Sequence, residues 1–220
     1  GLRSDRESRD HRGGRGVCAM IAIIDYDAGN MKSVEKALHF LDKEVVVTRD
    51  REEILKADHV ILPGVGAFGM AMEQLREYDL EEVIHAVVKK GTPFLGVCLG
   101  AQLLFESSEE DPGIAGLGLL KGTIKKIPKG EYVKIPHMGW NSLSITPGRR
   151  LFQGINGDPY VYFVHSYYIH AKDRDVVAAT TSYNVTIDAA IESGNLFGCQ
   201  FHPEKSSDTG LKILQNFVNI

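Results

Sequence analysis

Through residues 20–107, short apolar runs alternate with stretches whose apolar residues recur at helical spacing, and this alternation restricts the fold more than any other feature. Ile21-Ala22-Ile23-Ile24, Val45-Val46-Val47, His59-Val60-Ile61-Leu62 and Pro93–Val97 read as buried strands. Between them, Met31, Val34, Leu38 and Leu41 mark one helix, for which Asn30 is a candidate cap. Further helices are expected over Arg51–Ala57, Met70–Glu77, Leu80–Lys90 and Leu99–Ser107. Repeated strand–helix–strand units imply a mostly parallel sheet with helices on both faces.

The second half changes character. Gly122–Ile127, Tyr160–Val164, Val176–Thr181, Asp188–Ile191 and Leu196–Phe201 are strand-like, and Glu192-Ser193-Gly194-Asn195 signals a hairpin turn. A helix over Thr209–Val218 closes the chain. An added, largely antiparallel layer is therefore expected on the parallel core.

Residues 20–220 are expected to form a single domain. The first 19 residues carry five arginines against three acids and almost no apolar content, so they cannot bury enough surface to order themselves. A cloning remnant or mis-called start is expected there, with Met20 as the natural beginning. Leaving them out takes the net charge from −4 to −6, which argues against general nucleic-acid binding. No apolar run approaches the roughly 20 residues of a membrane span. Cys18, Cys98 and Cys199 are too few and scattered for a disulfide framework. A cytoplasmic setting fits best.

The chemistry centres on Gly96-Val97-Cys98-Leu99-Gly100, where a strand gives way to a helix. A sharp strand-to-helix turn exposes its corner residue, and small neighbours relieve the crowding. The expected helix start beside the sulfur favours thiolate, and the Leu99 N–H is free to bind an oxyanion. The plain alternative is a buried core cysteine. A nucleophile needs a base, and Phe201-His202-Pro203-Glu204 supplies one. In extended chain His202 and Glu204 face the same side, so the carboxylate can orient the imidazole. Read alone, the same segment fits a solvated surface turn. Pro63-Gly64-Val65-Gly66 follows a strand at the same sheet edge. It fits a second oxyanion donor or a plain turn, and the residues alone do not separate these. Cys199 reads as core. No paired zinc-ligand spacing occurs, so no metal and no cofactor are expected.

Together, Pro63-Gly64-Val65-Gly66, Gly96–Gln102 and Phe201–Glu204 resemble the class I (triad) glutamine amidotransferases, from Met20 to the C-terminus. Pro136-His137-Met138-Gly139-Trp140-Asn141, Tyr162–Tyr167 and Lys205-Ser206-Ser207 are similar to the HisH-type glutaminase subunits of imidazole glycerol phosphate synthase. The resemblance implies a flavodoxin-like α/β fold. It implies that Cys98 attacks the glutamine side-chain amide, with His202 as base and Glu204 orienting it. The Val65 and Leu99 N–H groups would form the oxyanion hole, after a reorientation of the Gly64-Val65-Gly66 peptide. Gly64, Gly66, Gln102, Glu110, His165, Ser166 and Tyr167 would hold the substrate.

The resemblance also implies a HisF-type (β/α)8-barrel cyclase as partner, receiving ammonia directly. His137, Met138, Trp140 and Asn141 look like its docking and gating loop, with Lys205 in an intersubunit ion pair. Trp140 could instead be core, as most tryptophans are, but Trp is also a frequent interface anchor. Two rival readings are an amidotransferase subunit of another synthase, such as anthranilate or aminodeoxychorismate synthase, and a flavodoxin-like cysteine redox sensor. The sensor would not need Gln102 or the His-Pro-Glu pair.

Overall fold

The computed structural model describes residues 19–220. The tail expected over residues 1–19 lies, but for Ala19, outside them. In chain order the elements are β1 (Met20–Ile24), α1 (Met31–Phe40), β2 (Glu44–Thr48), α2 (Arg51–Lys56), β3 (His59–Leu62), α3 (Phe68–Glu77), α4 (Leu80–Lys90), β4 (Phe94–Val97) and α5 (Leu99–Gln102). There follow β5 (Ser107–Ser108), β6 (Gly122–Lys126), β7 (His137–Ser142), β8 (Ser144–Ile145), β9 (Tyr160–His165), β10 (Tyr167–Ala171), β11 (Val177–Tyr183), β12 (Val185–Ser193), β13 (Leu196–Cys199) and α6 (Ser207–Val218).

Eight strands form the main sheet in the order β2-β1-β3-β4-β13-β12-β11-β8. The pairs from β2 to β13 are parallel, and those from β13 to β8 antiparallel. The antiparallel part thus extends the parallel sheet edge to edge, through the expected hairpin, in which Ser193 faces Leu196. Two small sheets, β10-β6-β5 and β7-β9, form the added layer. Alternate strand residues feed two cores: Ala22, Ile24, Val60, Leu62 and Phe94 pack on one side, and Ile21, Ile23, Ile61, Leu95 and Val97 on the other.

Two expectations give way. The helix expected over Leu99–Ser107 ends at Gln102. Leu103, Leu104 and Phe105 are all fully buried, and α5 is buried too. Their carbonyls instead accept from the N–H groups of Leu117, Leu120 and Gly118. The stretch expected as a loop at His137–Asn141 is β7, paired with β9 from His137 opposite His165 to Ser142 opposite Tyr160. Its polar residues and Gly139 hide the two-residue alternation that puts Met138 and Trp140 outside and His137 inside.

Candidate active site

The carboxyl ends of β1, β3, β4 and β13 converge on one edge, at the point where strand order reverses direction between β1 and β3. Cys98 stands at the end of β4 with φ 54° and ψ −111°, a conformation L-residues rarely adopt. The two flanking glycines are what allow it. A methyl group on Gly100 would lie 1.9 Å from the Leu62 carbonyl oxygen, and one on Gly96 would lie 2.7 Å from the Gly100 oxygen. The Cys98 N–H donates to the Cys199 oxygen at 2.7 Å, which ties the corner to β13. Leu99 opens α5, so its N–H has no carbonyl partner within the helix.

His202 and Glu204 are completely buried side chains joined Nδ1 to Oε1 at 2.6 Å. They meet through a tight turn, since Pro203–Lys205 forms one 3-10 turn where sequence suggests extended chain. Burial lowers the basicity of His202, but its contact with Cys98 and its bond to Glu204 outweigh that and raise its pKa to about 10. Among the described residues Nε2 makes no well-aligned hydrogen bond, so it is available to the sulfur. Asn30 completes the cluster. It is not a helix cap: it has left-handed backbone, makes no cap hydrogen bond, and donates its side-chain amide to Glu204 Oε1 at 3.0 Å.

In front of Cys98 lies a cavity of about 270 Å³. Val65, Gly66, Leu99, Gln102, Glu110, His165, Ser166 and Tyr167 line it together with Cys98 and Val164. Of the residues expected around the substrate, only buried Gly64 is not in that wall. A larger hollow of about 510 Å³ around Thr146–Gly154 has no thiol or imidazole in its wall and lies apart from this chemistry. The Val65 N–H does not face the cavity, because it donates to the Ala28 oxygen at 3.1 Å. Glu110 caps α3, its Oε1 accepting from the Phe68 N–H at 2.6 Å.

His137 is not at the surface as expected, and Asn141 is partly buried. His137 is 3% exposed, stacked against Tyr183 and Phe163. His165 Nδ1 donates to the Tyr167 oxygen (2.8 Å), so its Nε2 accepts from His137 Nδ1 (2.9 Å), whose Nε2 in turn accepts from the Asn141 amide (3.2 Å). Desolvation keeps both rings neutral, with pKa values pushed down to about 4 for His137 and about 3 for His165. On the other side of β7, Met138 and Trp140 are 62% and 53% exposed, beside Tyr160 at 62%. Lys205 is exposed.

A thiol on a strained strand-to-helix corner, backed by a buried imidazole–carboxylate pair and facing a small polar cavity, has the geometry that cysteine-nucleophile acyl transfer requires. Residues 22–220 match the glutamine amidotransferase class-I family, and the chain belongs to it. Within it, the chain is 50% identical over 201 residues to "Imidazole glycerol phosphate synthase subunit HisH" of Methanocaldococcus jannaschii, covering 91% of this chain and 100% of that protein. It is 52% identical over 197 residues to the protein of the same name from Moorella thermoacetica, covering 90% and 93%. Among solved structures, one titled "Crystal structure of glutamine amidotransferase" superposes with a TM-score of 0.70 at 21% identity, covering 90% of this chain and 98% of that one. PurLQS from Thermotoga maritima superposes at 0.69 and 20% identity, covering 91% and 98%. These two likenesses concern the fold.

Proposed function

We propose that this chain is the glutaminase subunit of an imidazole glycerol phosphate synthase, releasing ammonia from glutamine and passing it to a (β/α)8-barrel cyclase of HisF type. The observation that carries the chemistry is the buried His202–Glu204 pair standing behind Cys98 at the wall of the cavity. The HisH-named relatives at about half identity support the particular synthase.

In this reading His202 takes the Cys98 proton, and the thiolate attacks the side-chain amide carbon of glutamine. The tetrahedral oxyanion is met by the Leu99 N–H and, once the Gly64–Val65 peptide turns away from Ala28, by the Val65 N–H. His202 returns the proton to the departing nitrogen, ammonia leaves, and a glutamyl thioester remains. Water, deprotonated by His202, attacks the thioester carbonyl; the carbon–sulfur bond breaks, and glutamate and the thiol are restored. Glu204 holds the imidazole tautomer, with Asn30 bracing it. Gly66, Gln102, Glu110, His165, Ser166 and Tyr167 surround the substrate, and buried Gly64 shapes the loop behind.

Ammonia released into neutral water is mostly protonated and a poor nucleophile, so it must pass directly to the acceptor site. Met138 and Trp140, with Tyr160 beside them, form the apolar surface that fits the partner. Lys205 is the candidate for an ion pair with it. Among the described residues no helix is long and apolar enough to cross a membrane, and a cytoplasmic setting belongs to this reading. The test is glutamate release from glutamine, with and without the cyclase and its ribotide. Release that rises with the loaded cyclase and vanishes in Cys98→Ala is expected. No release under either condition would overturn the reading.

A further inference from the structure

Gln200 immediately follows β13 and is fully buried. Its chain neighbours Cys199 and Phe201 are apolar core. A buried amide costs free energy unless its groups are bonded. Gln200 makes two such bonds. Its Oε1 accepts from Gln102 Nε2 at 3.1 Å, and its Nε2 donates to Cys98 Sγ at 3.8 Å, a normal reach for sulfur.

The first bond fixes the second. Gln102 Nε2 also donates to the Tyr167 oxygen at 3.0 Å. Two acceptors therefore hold the nitrogen end of Gln102, which presents that end to Gln200 and forces Gln200 to meet it with oxygen. The nitrogen of Gln200 is then left to face the sulfur. A hydrogen bond to an ionised acceptor is about twice as strong as one to a neutral acceptor, so the contact favours thiolate over thiol.

We propose that Gln200 is a further catalytic residue of this site, donating its buried amide hydrogen to Cys98 Sγ and stabilising the attacking thiolate. The proposal rests on the glutaminase reading above. It also joins nucleophile to substrate wall, because Gln102 lines the cavity while holding Gln200. The titratable groups facing the sulfur are His202, with Glu204 behind it, from the turn after β13, and Tyr26 from the loop after β1. Burial, and then the nearby sulfur, raise the Tyr26 phenol far above its usual range, so it stays neutral. Glu110 and His165 line the same cavity.

The experiment uses the full chain with Gln200→Glu and Gln200→Met. Gln200→Glu keeps an oxygen for Gln102 and replaces the donor at the sulfur. Gln200→Met is nearly the same size, and it covers the case in which a buried carboxylate unfolds the chain. Iodoacetamide alkylation of Cys98, read by peptide mass spectrometry, is followed against pH. In the folded variants the midpoint of the alkylation profile is expected to rise by about one pH unit. Glutamate release with the cyclase and its ribotide is expected to fall about tenfold in kcat, with KM for glutamine within about twofold. A midpoint within about 0.2 units of the parent chain in a folded variant overturns the proposal. Alkylation needs no glutamine, so this failure is distinct from failure of the glutaminase reading, which is an absence of glutamate release from the parent chain itself.

Discussion

Asn30 and Glu204, 174 positions apart, are joined by a 3.0 Å hydrogen bond from the Asn30 amide to Glu204 Oε1, the same oxygen that binds His202 Nδ1 at 2.6 Å. One carboxylate oxygen is thus fixed from two elements, and the ring it orients is fixed with it. Asn30 tolerates the φ of 63° at which the chain turns into α1, which asparagine does better than most residues.

Removing that brace loosens the pair without touching sulfur or substrate. Asn30→Ala should lower kcat for glutamate release about tenfold, the effect of one charge-assisted hydrogen bond of about 1.5 kcal/mol. KM for glutamine should stay within about twofold. Steady-state kinetics with the cyclase bound is the measurement, and an unchanged kcat would remove Asn30 from the machinery.

The buried imidazoles predict that stability peaks near neutral pH. His137 and His165 stay neutral in the folded chain down to about pH 4 and about pH 3. The unfolded chain protonates its histidines near pH 6.5, so it binds more protons below that value and stability falls on acidification, by up to about 1.4 kcal/mol per pH unit for each ring. His202 acts in the opposite sense. Its folded pKa is raised to about 10, so its contribution is complete below about pH 6.5 and is lost as pH rises from there toward about 10. Urea midpoints at pH 5, 6.5 and 9 should be highest at the middle value, and His137→Asn should flatten the acid limb.

The corner at Cys98 leaves no room for a methyl group. Gly100→Ala puts its Cβ against the Leu62 carbonyl oxygen, which belongs to β3 and cannot retreat as a flexible side chain would. A cost of about 3 kcal/mol is expected from overpacking against backbone, read as a drop in the urea midpoint with an unchanged slope. A midpoint equal to the parent's would show that the corner relaxes freely.

The two sides of β7 should separate partner binding from stability. Trp140 is half-exposed, whereas His137 is buried between two aromatic rings. Trp140→Ala should weaken binding to the cyclase about thirtyfold, as loss of a roughly 2 kcal/mol interface anchor does, and shift the thermal midpoint of the isolated chain little. His137→Ala should lower that midpoint by several degrees. Calorimetric titration and thermal unfolding distinguish the two, and equal partner affinity in Trp140→Ala would move the docking surface elsewhere.

Local chemistry made much of this protein legible before any coordinates. The strand–helix alternation dictates a parallel sheet because each apolar period has one way to bury itself. The glycines around Cys98 announce a sharp corner because only a missing side chain fits there, and His202 and Glu204 lie close enough in sequence that any turn brings them together. Asn30 and Gln200 were not legible: an asparagine before a helix reads as a cap, and a glutamine beside core residues carries no signal of its partner. His137 and Asn141 read as surface because polar residues beside a glycine imitate a loop. Only the paired β9, with His165 to receive a hydrogen bond, turns His137 inward. What near neighbours in the chain set is the strand–helix alternation of the first half, a thiol at a sharp corner and an imidazole two residues from a carboxylate. Folding is what brings the Asn30 amide to Glu204 and the Gln200 amide to Cys98, leaves one face of β7 exposed, and ties the Val65 N–H to Ala28. Each of these depends on how distant segments meet, and those neighbours exist only once the chain has folded.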